Sequence, residues 1–279
     1  MLHAQQLSFG YKPKKLLFDR LDLSISPGSI VGLLGKNGMG KTTLLKLFAG
    51  MHFPKNGSLD IFGERPQDRS PHFLEDIYCL PEEIEAPSFS PKTFISCYRR
   101  FYPRFDTELL QSLTKEFELP ETSNISKWSY GQKKKFHIAF ALSTKCRLLL
   151  FDEPTNGLDI SSKAIFRKIM AGSLDENQLV VISTHQVADI QNLIDRVLIL
   201  DSGKIILNEE LYEIESQYHF GFRNSLRDED ILYAEETLGG YKVVAPRRDE
   251  SSTVDLELLF NASIQNKLNL TPQVYEQVV

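Results

Sequence analysis

A glycine-rich stretch between an apolar run and a helix-like run is the strongest chemical pattern in this 279-residue chain. Residues 35–42 read Gly-Lys-Asn-Gly-Met-Gly-Lys-Thr and match the pattern G-x-x-x-x-G-K-[ST]. Glycines let the backbone form a nest of N–H donors around phosphates, and the next helix N-terminus adds positive potential. The spacing predicts that Lys41 reaches the β- and γ-phosphates of a nucleotide, as a catalytic residue, and that Thr42 binds Mg²⁺. The predicted nucleotide contacts in this segment are Gly35, Asn37, Gly38, Gly40, Lys41, Thr42 and Thr43.

Two carboxylates form the second pattern, since Asp152 and Glu153 follow an apolar run at 148–151 and precede Pro154. Side chains at the carboxyl end of a buried parallel strand face the ligand crevice of an α/β sheet. Because Mg²⁺ held partly by phosphates takes one or two protein carboxylates, Asp152 is a predicted metal ligand. Glu153 is the predicted general base or water-positioning group for attack on the γ-phosphate. An Asp-Glu pair alone can equally be a solvated strand end, so this prediction depends on the glycine-rich loop.

A third pattern, Ser129-Tyr130-Gly131-Gln132, lies upstream of Asp152. It resembles the signature motif of the ATP-binding cassette (ABC) family, in which Leu-Ser-Gly-Gly-Gln is usual. The resemblance implies that Ser129, Gly131 and Gln132 contact the nucleotide across a dimer. Tyr130 stands where the family has its first glycine, whereas the serine and second glycine, which make the family's phosphate contacts, are kept. A Ser-x-Gly segment alone is usually an ordinary helix cap.

Further positions extend the resemblance over residues 1–206. It implies that Tyr11 stacks on adenine, that Asp159 belongs to a dimer-contact loop, and that His185 is a catalytic switch residue near the γ-phosphate. Glu82 stands where the family usually has glutamine and is a predicted Mg²⁺ ligand. Each position also has a local explanation: a surface tyrosine, an aspartate that satisfies backbone donors, a hydrogen-bonded histidine and a solvated glutamate.

The strands that must position these residues are predicted from the spacing of apolar side chains. Short alternating pieces in residues 1–30 predict an antiparallel sheet. Dense apolar runs at 30–34, 148–151 and 179–182 predict strands buried on both faces of a parallel sheet. Helical segments between these strands make the fold class α/β.

The chain divides into a cassette and a smaller tail. The resemblance implies that residues 1–206 form a P-loop NTPase cassette with a RecA-like core, an N-terminal antiparallel β subdomain and a helical insertion. Helical spacing places that insertion at about 81–145. Residues 207–279 are predicted to be a small C-terminal extension with strand-like pieces at 218–222 and 241–245.

Composition limits the classes of function. A net charge of -5 and a pI near 5.8 give no global reason to bind nucleic acid, so none is expected as a partner. The lysines at 133–135 are expected to form a solvated face. No apolar run approaches the roughly 18 to 20 residues of a membrane-spanning helix, and the N-terminus lacks the features of a secretory signal. A cytoplasmic protein is therefore expected.

Three functions are compatible with these patterns. The favoured one is an ATP-binding and ATP-hydrolysing ABC transporter subunit that uses Mg²⁺ and drives transport, with export favoured, through a separate polytopic membrane permease. It implies an ATP-dependent homodimer, peripheral on the inner face of the cell membrane. The alternatives are a soluble ABC ATPase acting on ribosomes or DNA and a weakly hydrolysing nucleotide-sensing module. The acidic pI disfavours the former, and intact Lys41, Asp152 and Glu153 disfavour the latter.

Overall fold

A computed structural model describes residues 1–85, 87–120, 124–226, 230–248 and 252–268 of the chain. Its strands are β1 (Leu2–Phe9), β2 (Phe18–Ile25), β3 (Ile30–Leu34), β4 (Asn56–Ile61), β5 (Ile77–Leu80), β6 (Leu148–Asp152), β7 (Leu179–Thr184), β8 (Arg196–Asp201), β9 (Lys204–Glu210), β10 (Tyr218–Arg223), β11 (Tyr233–Thr237) and β12 (Gly240–Pro246). Its α-helices are α1 (Lys41–Phe48), α2 (Pro71–Glu75), α3 (Pro91–Tyr98), α4 (Thr107–Glu116), α5 (Tyr130–Ser143), α6 (Ile160–Ser173), α7 (Leu211–Gln217) and α8 (Leu256–Ile264).

A six-stranded sheet in the order β5-β6-β7-β3-β8-β9 forms the centre of the fold. Its first five strands run parallel, and β9 pairs antiparallel with β8. The three dense apolar runs in the sequence form β3, β6 and β7, and every residue of β6 and β7 is buried. The predicted parallel sheet is therefore confirmed. Because β3, β6 and β7 are neighbours, the loops that follow them meet at one edge of the sheet.

Alternate side chains of the central sheet enter two different cores. In β6, Leu148 and Leu150 face a core that also holds β1, β2 and α1, whereas Leu149 and Phe151 face a core that holds α5 and α6. This division follows from the two-residue period of a strand. The first core confirms the antiparallel sheet predicted at the N-terminus, which has the order β2-β1-β4.

Helices α3, α4 and α5 lie within the segment predicted to be a helical insertion. Leu110 and Leu113 of α4 are buried, as their spacing indicates. One expectation for this segment is wrong: Lys134 is not part of a solvated face but is fully buried. Its Nζ donates to the backbone carbonyl of Glu82 at 2.7 Å. The residues around Lys134 give no indication of this partner, because it is far away in the sequence.

The C-terminal segment forms a second antiparallel sheet, in the order β10-β12-β11, together with α8. Both strand-like pieces noted in the sequence lie in this sheet, as β10 and β12. Lys242 of β12 forms an ion pair of 2.7 Å with Asp255, which caps the N-terminus of α8. Strand β9 continues the central sheet beyond residue 206, and the division of the chain at that point stays a prediction.

Within the described residues, none of the helices has the length and apolar character needed to cross a membrane.

The buried His137 of α5 predicts a loss of stability in acid. Burial, and secondarily the charge of Lys134, lower the pKa of His137 to about 4 from 6.5. Between these values the unfolded chain binds a proton that the folded protein excludes, so the free energy of unfolding falls as pH decreases. The loss at pH 4 is about 3 kcal/mol for such a shift. Urea unfolding of the wild type and of His137→Gln should show this loss in the wild type alone. Equal pH dependence in both proteins would contradict the assignment.

Candidate functional site

The glycine-rich loop joins the end of β3 to the start of α1. Gly40 precedes the helix with a φ of 106°, and a Cβ at this position would approach the Phe18 ring to 2.9 Å. The conformation and the close packing both require glycine. The Nζ of Lys41, which is buried, donates to the Gly35 carbonyl at 2.7 Å and lies 3.9 Å from Oε1 of Glu153. Burial lowers the pKa of Lys41, and the nearby carboxylates oppose that shift.

Asp152 lies at the carboxyl end of β6 and connects three neighbouring strand ends. Its Oδ2 accepts from the Thr42 hydroxyl at 2.7 Å, and its Oδ1 accepts from the Ser183 hydroxyl. Hydroxyl and carboxylate oxygens are the ligands that Mg²⁺ prefers. The described residues hold no cluster of three or more His, Cys, Asp or Glu side chains suited to a metal ion. This donor set therefore fits a magnesium ion that takes most of its remaining ligands from phosphates and water.

Glu153, the residue after Asp152, is held by its backbone conformation and by side-chain hydrogen bonds. Its backbone has a φ of 46°, in the left-handed region, and its side chain is buried. Oε1 accepts from His185 Nδ1 at 2.8 Å, and Oε2 accepts from the Thr184 hydroxyl at 3.0 Å. The carboxylate can only accept, so His185 carries its proton on Nδ1 when both side chains have their usual charges. These bonds fix the carboxylate close to Lys41, which follows the glycine-rich loop.

Most of the predicted site residues line one cavity of about 520 Å³. Its lining contains Tyr11, Leu17, Asn37, Gly38, Gly40, Lys41, Thr42, Thr43, Glu82, Asp152, Glu153 and His185. Glu82 faces this cavity, and its Oε1 accepts from Asn156 Nδ2 at 3.0 Å. The role of Glu82 as a metal ligand stays a prediction.

Ser129, Gly131, Gln132 and Asp159 do not line this cavity. Ser129 and Gln132 form a capping box at the start of α5. Ser129 Oγ accepts from the Gln132 N–H at 3.2 Å, and Gln132 Oε1 accepts from the Ser129 N–H at 3.0 Å. Asp159 caps α6, and hydrogen bonds from Ser162 and Ser161 lower its pKa to about 2. Within one subunit these residues therefore have structural roles, and their contact with a second subunit stays a prediction.

Tyr11 stands at the rim of the cavity with most of its surface exposed. Its hydroxyl lies 2.9 Å from Thr43 Oγ1 and 3.3 Å from His52 Nε2, and its ring makes edge contacts with Phe9 and His52. The sequence did not indicate His52 or Leu17, because neither belongs to a recognisable pattern. Ser183 could have been found, since it is the last residue but one of a densely apolar strand, where a polar side chain lies near the carboxyl edge of the sheet.

The fold and this site define a phosphate-loop ATPase. A sequence model described as ABC transporter matches residues 18–156. The cytochrome c biogenesis ATP-binding export protein CcmA of Rhodopseudomonas palustris is 33% identical over 174 residues, covering 61% of this chain and 84% of that protein. The chain belongs to the family of ABC transporter ATP-binding proteins.

Other relatives cover more of the chain, and the name of one of them specifies import. The ABC transporter ATP-binding protein YtrB of Bacillus subtilis is 28% identical over 261 residues, covering 90% of this chain and 88% of that protein. The molybdate import ATP-binding protein MolC of Haemophilus influenzae is 30% identical over 216 residues, covering 75% and 82%. The solved ATP-binding subunit of an ABC transporter superimposes with a TM-score of 0.69, at 24% identity, over 77% of this chain and 92% of that one.

These comparisons confirm the predicted class of fold and activity. The chain is an ATP-binding and ATP-hydrolysing subunit of an ABC transporter, and it uses ATP with Mg²⁺. Subunits of this family dimerise and pair with membrane permeases.

Replacing Glu153 with glutamine tests its assignment as the base. The amide keeps the size of the side chain but is a much weaker proton acceptor, so we expect turnover to fall by a factor of about 100 or more. ATP binding should persist, because Lys41 and Thr42 are unchanged. Phosphate release and equilibrium ATP binding would be measured on the same preparation. Turnover within twofold of wild type would rule out the assigned role.

Two variants of Tyr11 separate base stacking from its hydroxyl bond. Stacking of a base on an aromatic ring contributes about 1 to 3 kcal/mol, so Tyr11→Leu should raise the half-saturating ATP concentration at least about fivefold. Tyr11→Phe keeps the ring and should bind ATP nearly as the wild type does. Equal loss in both variants would assign the effect to the bond with Thr43 instead.

Proposed function

We propose that this chain is the ATPase subunit of an exporter, driving transport through a separate polytopic permease by ATP-dependent closure of two copies. The observation that carries this proposal is the distribution of the predicted nucleotide contacts. Lys41, Thr42 and Asp152 surround one cavity, whereas Ser129 and Gly131 lie outside it. In a dimer with two-fold symmetry, Ser129 and Gly131 of each copy face the cavity of the other copy, so that two equivalent sites form. The closed dimer then holds two ATP molecules between its subunits.

Hydrolysis in this dimer uses the groups around Glu153. Its carboxylate accepts a proton from the attacking water, whose oxygen bonds to the γ-phosphorus while the bond to the bridging oxygen breaks. His185 orients the carboxylate through the 2.8 Å bond to Oε1. Thr42 and Asp152 would hold a Mg²⁺ ion, which would supply positive charge to the phosphates when bound, and Glu82 lines the same cavity. Loss of the γ-phosphate removes contacts made by both subunits and releases closure.

A groove of about 1000 Å³ offers a surface for the permease. It lies beside β5, and exposed apolar side chains such as Met51, Tyr98 and Phe101 line it. At its wall, Nε2 of the buried His137 has no hydrogen-bond partner among the described residues. Because an unpaired buried polar atom is costly, the segment that fills the groove is expected to pair with it. We assign the groove to an apolar-faced cytoplasmic segment of the permease, which puts this subunit on the inner face of the membrane.

The proposal also specifies the direction of transport. The name of one relative specifies export and that of another import, so both directions occur among similar chains. Two further relatives, both named Nod factor export ATP-binding protein, also specify export, and we favour export on this ground. If that is correct, cells in which Glu153→Gln replaces the wild type accumulate the cargo. Depletion of the cargo would indicate import.

Affinity purification from gently solubilised membranes tests the partnership. The tagged wild type should retain a polytopic membrane protein. Phe101→Glu, which places a charge in the groove, should lose most of it while keeping ATPase activity. Phe222→Glu is the matched control, because Phe222 is also an exposed phenylalanine but lies outside the groove. Lys41→Ala tests whether retention needs the phosphate loop. Recovery of ribosomal or DNA-associated proteins, without a membrane protein, would overturn the proposal.

A further inference from the structure

Tyr130 is the residue by which this chain departs from the signature motif of its family, and its side chain makes specific contacts. The hydroxyl donates to the backbone carbonyl of Glu82 at 2.6 Å. Burial raises the pKa of Tyr130, with the nearby Glu82 and Glu83 adding to the shift, so the hydroxyl keeps its proton. A glycine at this position could make no such bond.

The ring of Tyr130 also packs against Gly157, in the loop of residues 156–159 that is predicted to contact a second subunit. A Cβ built on Gly157 would lie 2.4 Å from Cδ1 of Tyr130, so the ring rests directly on the glycine backbone. Gly157 has a φ of 78°. Any side chain there would be strained and would also displace the ring. Tyr130 and Gly157 are therefore fitted to each other.

Lys134, one turn further along α5, donates to the same carbonyl as Tyr130. Its Nζ donates to the Glu82 carbonyl at 2.7 Å and lies 5.5 Å from the centroid of the Tyr130 ring. The carbonyl has two lone pairs and can accept from both side chains. The Glu82 carboxylate in turn accepts from Asn156, whose Oδ1 accepts from Gln186 Nε2 at 3.0 Å. Hydrogen bonds thus connect the start of α5 to three loops of the same subunit.

We infer that Tyr130 is a positioning residue: it fixes the Ser129–Gly131 element against loops 81–83 and 156–157, so that each subunit presents a preformed surface to the other's ATP. This inference rests on the head-to-tail dimer proposed above. Preorganisation lowers the entropy lost on closure, so removal of the hydroxyl weakens ATP-driven association. The chemical step, which uses Glu153 and Asp152, is left unchanged at saturating ATP.

ATP-dependent dimerisation of the full chain in a Glu153→Gln background is the first test. Adding Tyr130→Phe should raise the half-dimerising ATP concentration about two- to tenfold, the range set by one hydrogen bond. Substitution with 4-aminophenylalanine, which keeps the ring and a donor, should restore it. Tyr241→Phe, in β12, is the control and should change nothing. In the wild-type background, Tyr130→Phe should raise KM for ATP and leave kcat within twofold.

Lys134→Met tests the shared acceptor. Because both donors bond to the Glu82 carbonyl, the effects of Tyr130→Phe and Lys134→Met on dimerisation should be non-additive. Additive effects would show that the two side chains act separately.

Hydrogen exchange on the isolated, nucleotide-free subunit tests the intrachain contacts without requiring a dimer. Tyr130→Phe should speed exchange in segments 82–85 and 155–159 and leave β7 protected. Unchanged exchange would overturn the inference, as would a parent that dimerises with ATP equally well with and without the hydroxyl. A fall in kcat alone would also overturn it. A wild type that hydrolyses ATP, together with a Glu153→Gln variant that never dimerises, would instead refute the proposed dimer.

Discussion

The hydrogen bonds that Asp152 accepts from Thr42 and Ser183 join the ends of three adjacent strands. Asp152 ends β6, Ser183 lies near the end of β7, and Thr42 is in the first turn of α1, directly after the loop from β3. Parallel pairing sets these strand ends level with one another, because Asp152 pairs with Ser183 and Leu34 with Thr184. The distances among Thr42, Asp152 and Ser183 are thus consequences of strand register. A slip of one residue in β6 would turn the carboxylate to the opposite face.

Electrostatic balance imposes a second requirement on the same strand ends. Lys41 and Glu153 are both buried, and unpaired charges in that environment would be costly. Each has compensating partners: Lys41 bonds to the Gly35 carbonyl, and Glu153 accepts from Thr184 and His185. A nucleotide therefore enters a cavity whose charged groups are already oriented. Groups that are oriented before the reaction are the ones that stabilise developing charge effectively in catalysis.

Local patterns were sufficient to predict the three central strands, the first of which leads into the glycine-rich loop and the second of which ends at Asp152. Each depends on residues close together in the sequence, where spacing alone determines geometry. The burial of Lys134 could not be predicted in this way. It depends on a carbonyl at position 82, on a different element, and a run of three lysines normally indicates a solvated surface. The same reason explains why the fit of Tyr130 against Gly157 is absent from the sequence pattern, although Tyr130 itself was recognised as unusual.

Helix α8 shares a continuous apolar core with the central sheet. Leu256 and Leu259 belong to the same buried cluster as Phe151 of β6 and Ile190, which lies between β7 and β8. The Gln191 amide also donates to the Val254 carbonyl at 3.3 Å. Cutting the chain after β9 would remove α8 and expose apolar side chains beside the central sheet to water, which favours aggregation. We therefore expect a chain cut after β9 to be less stable than one that extends through α8.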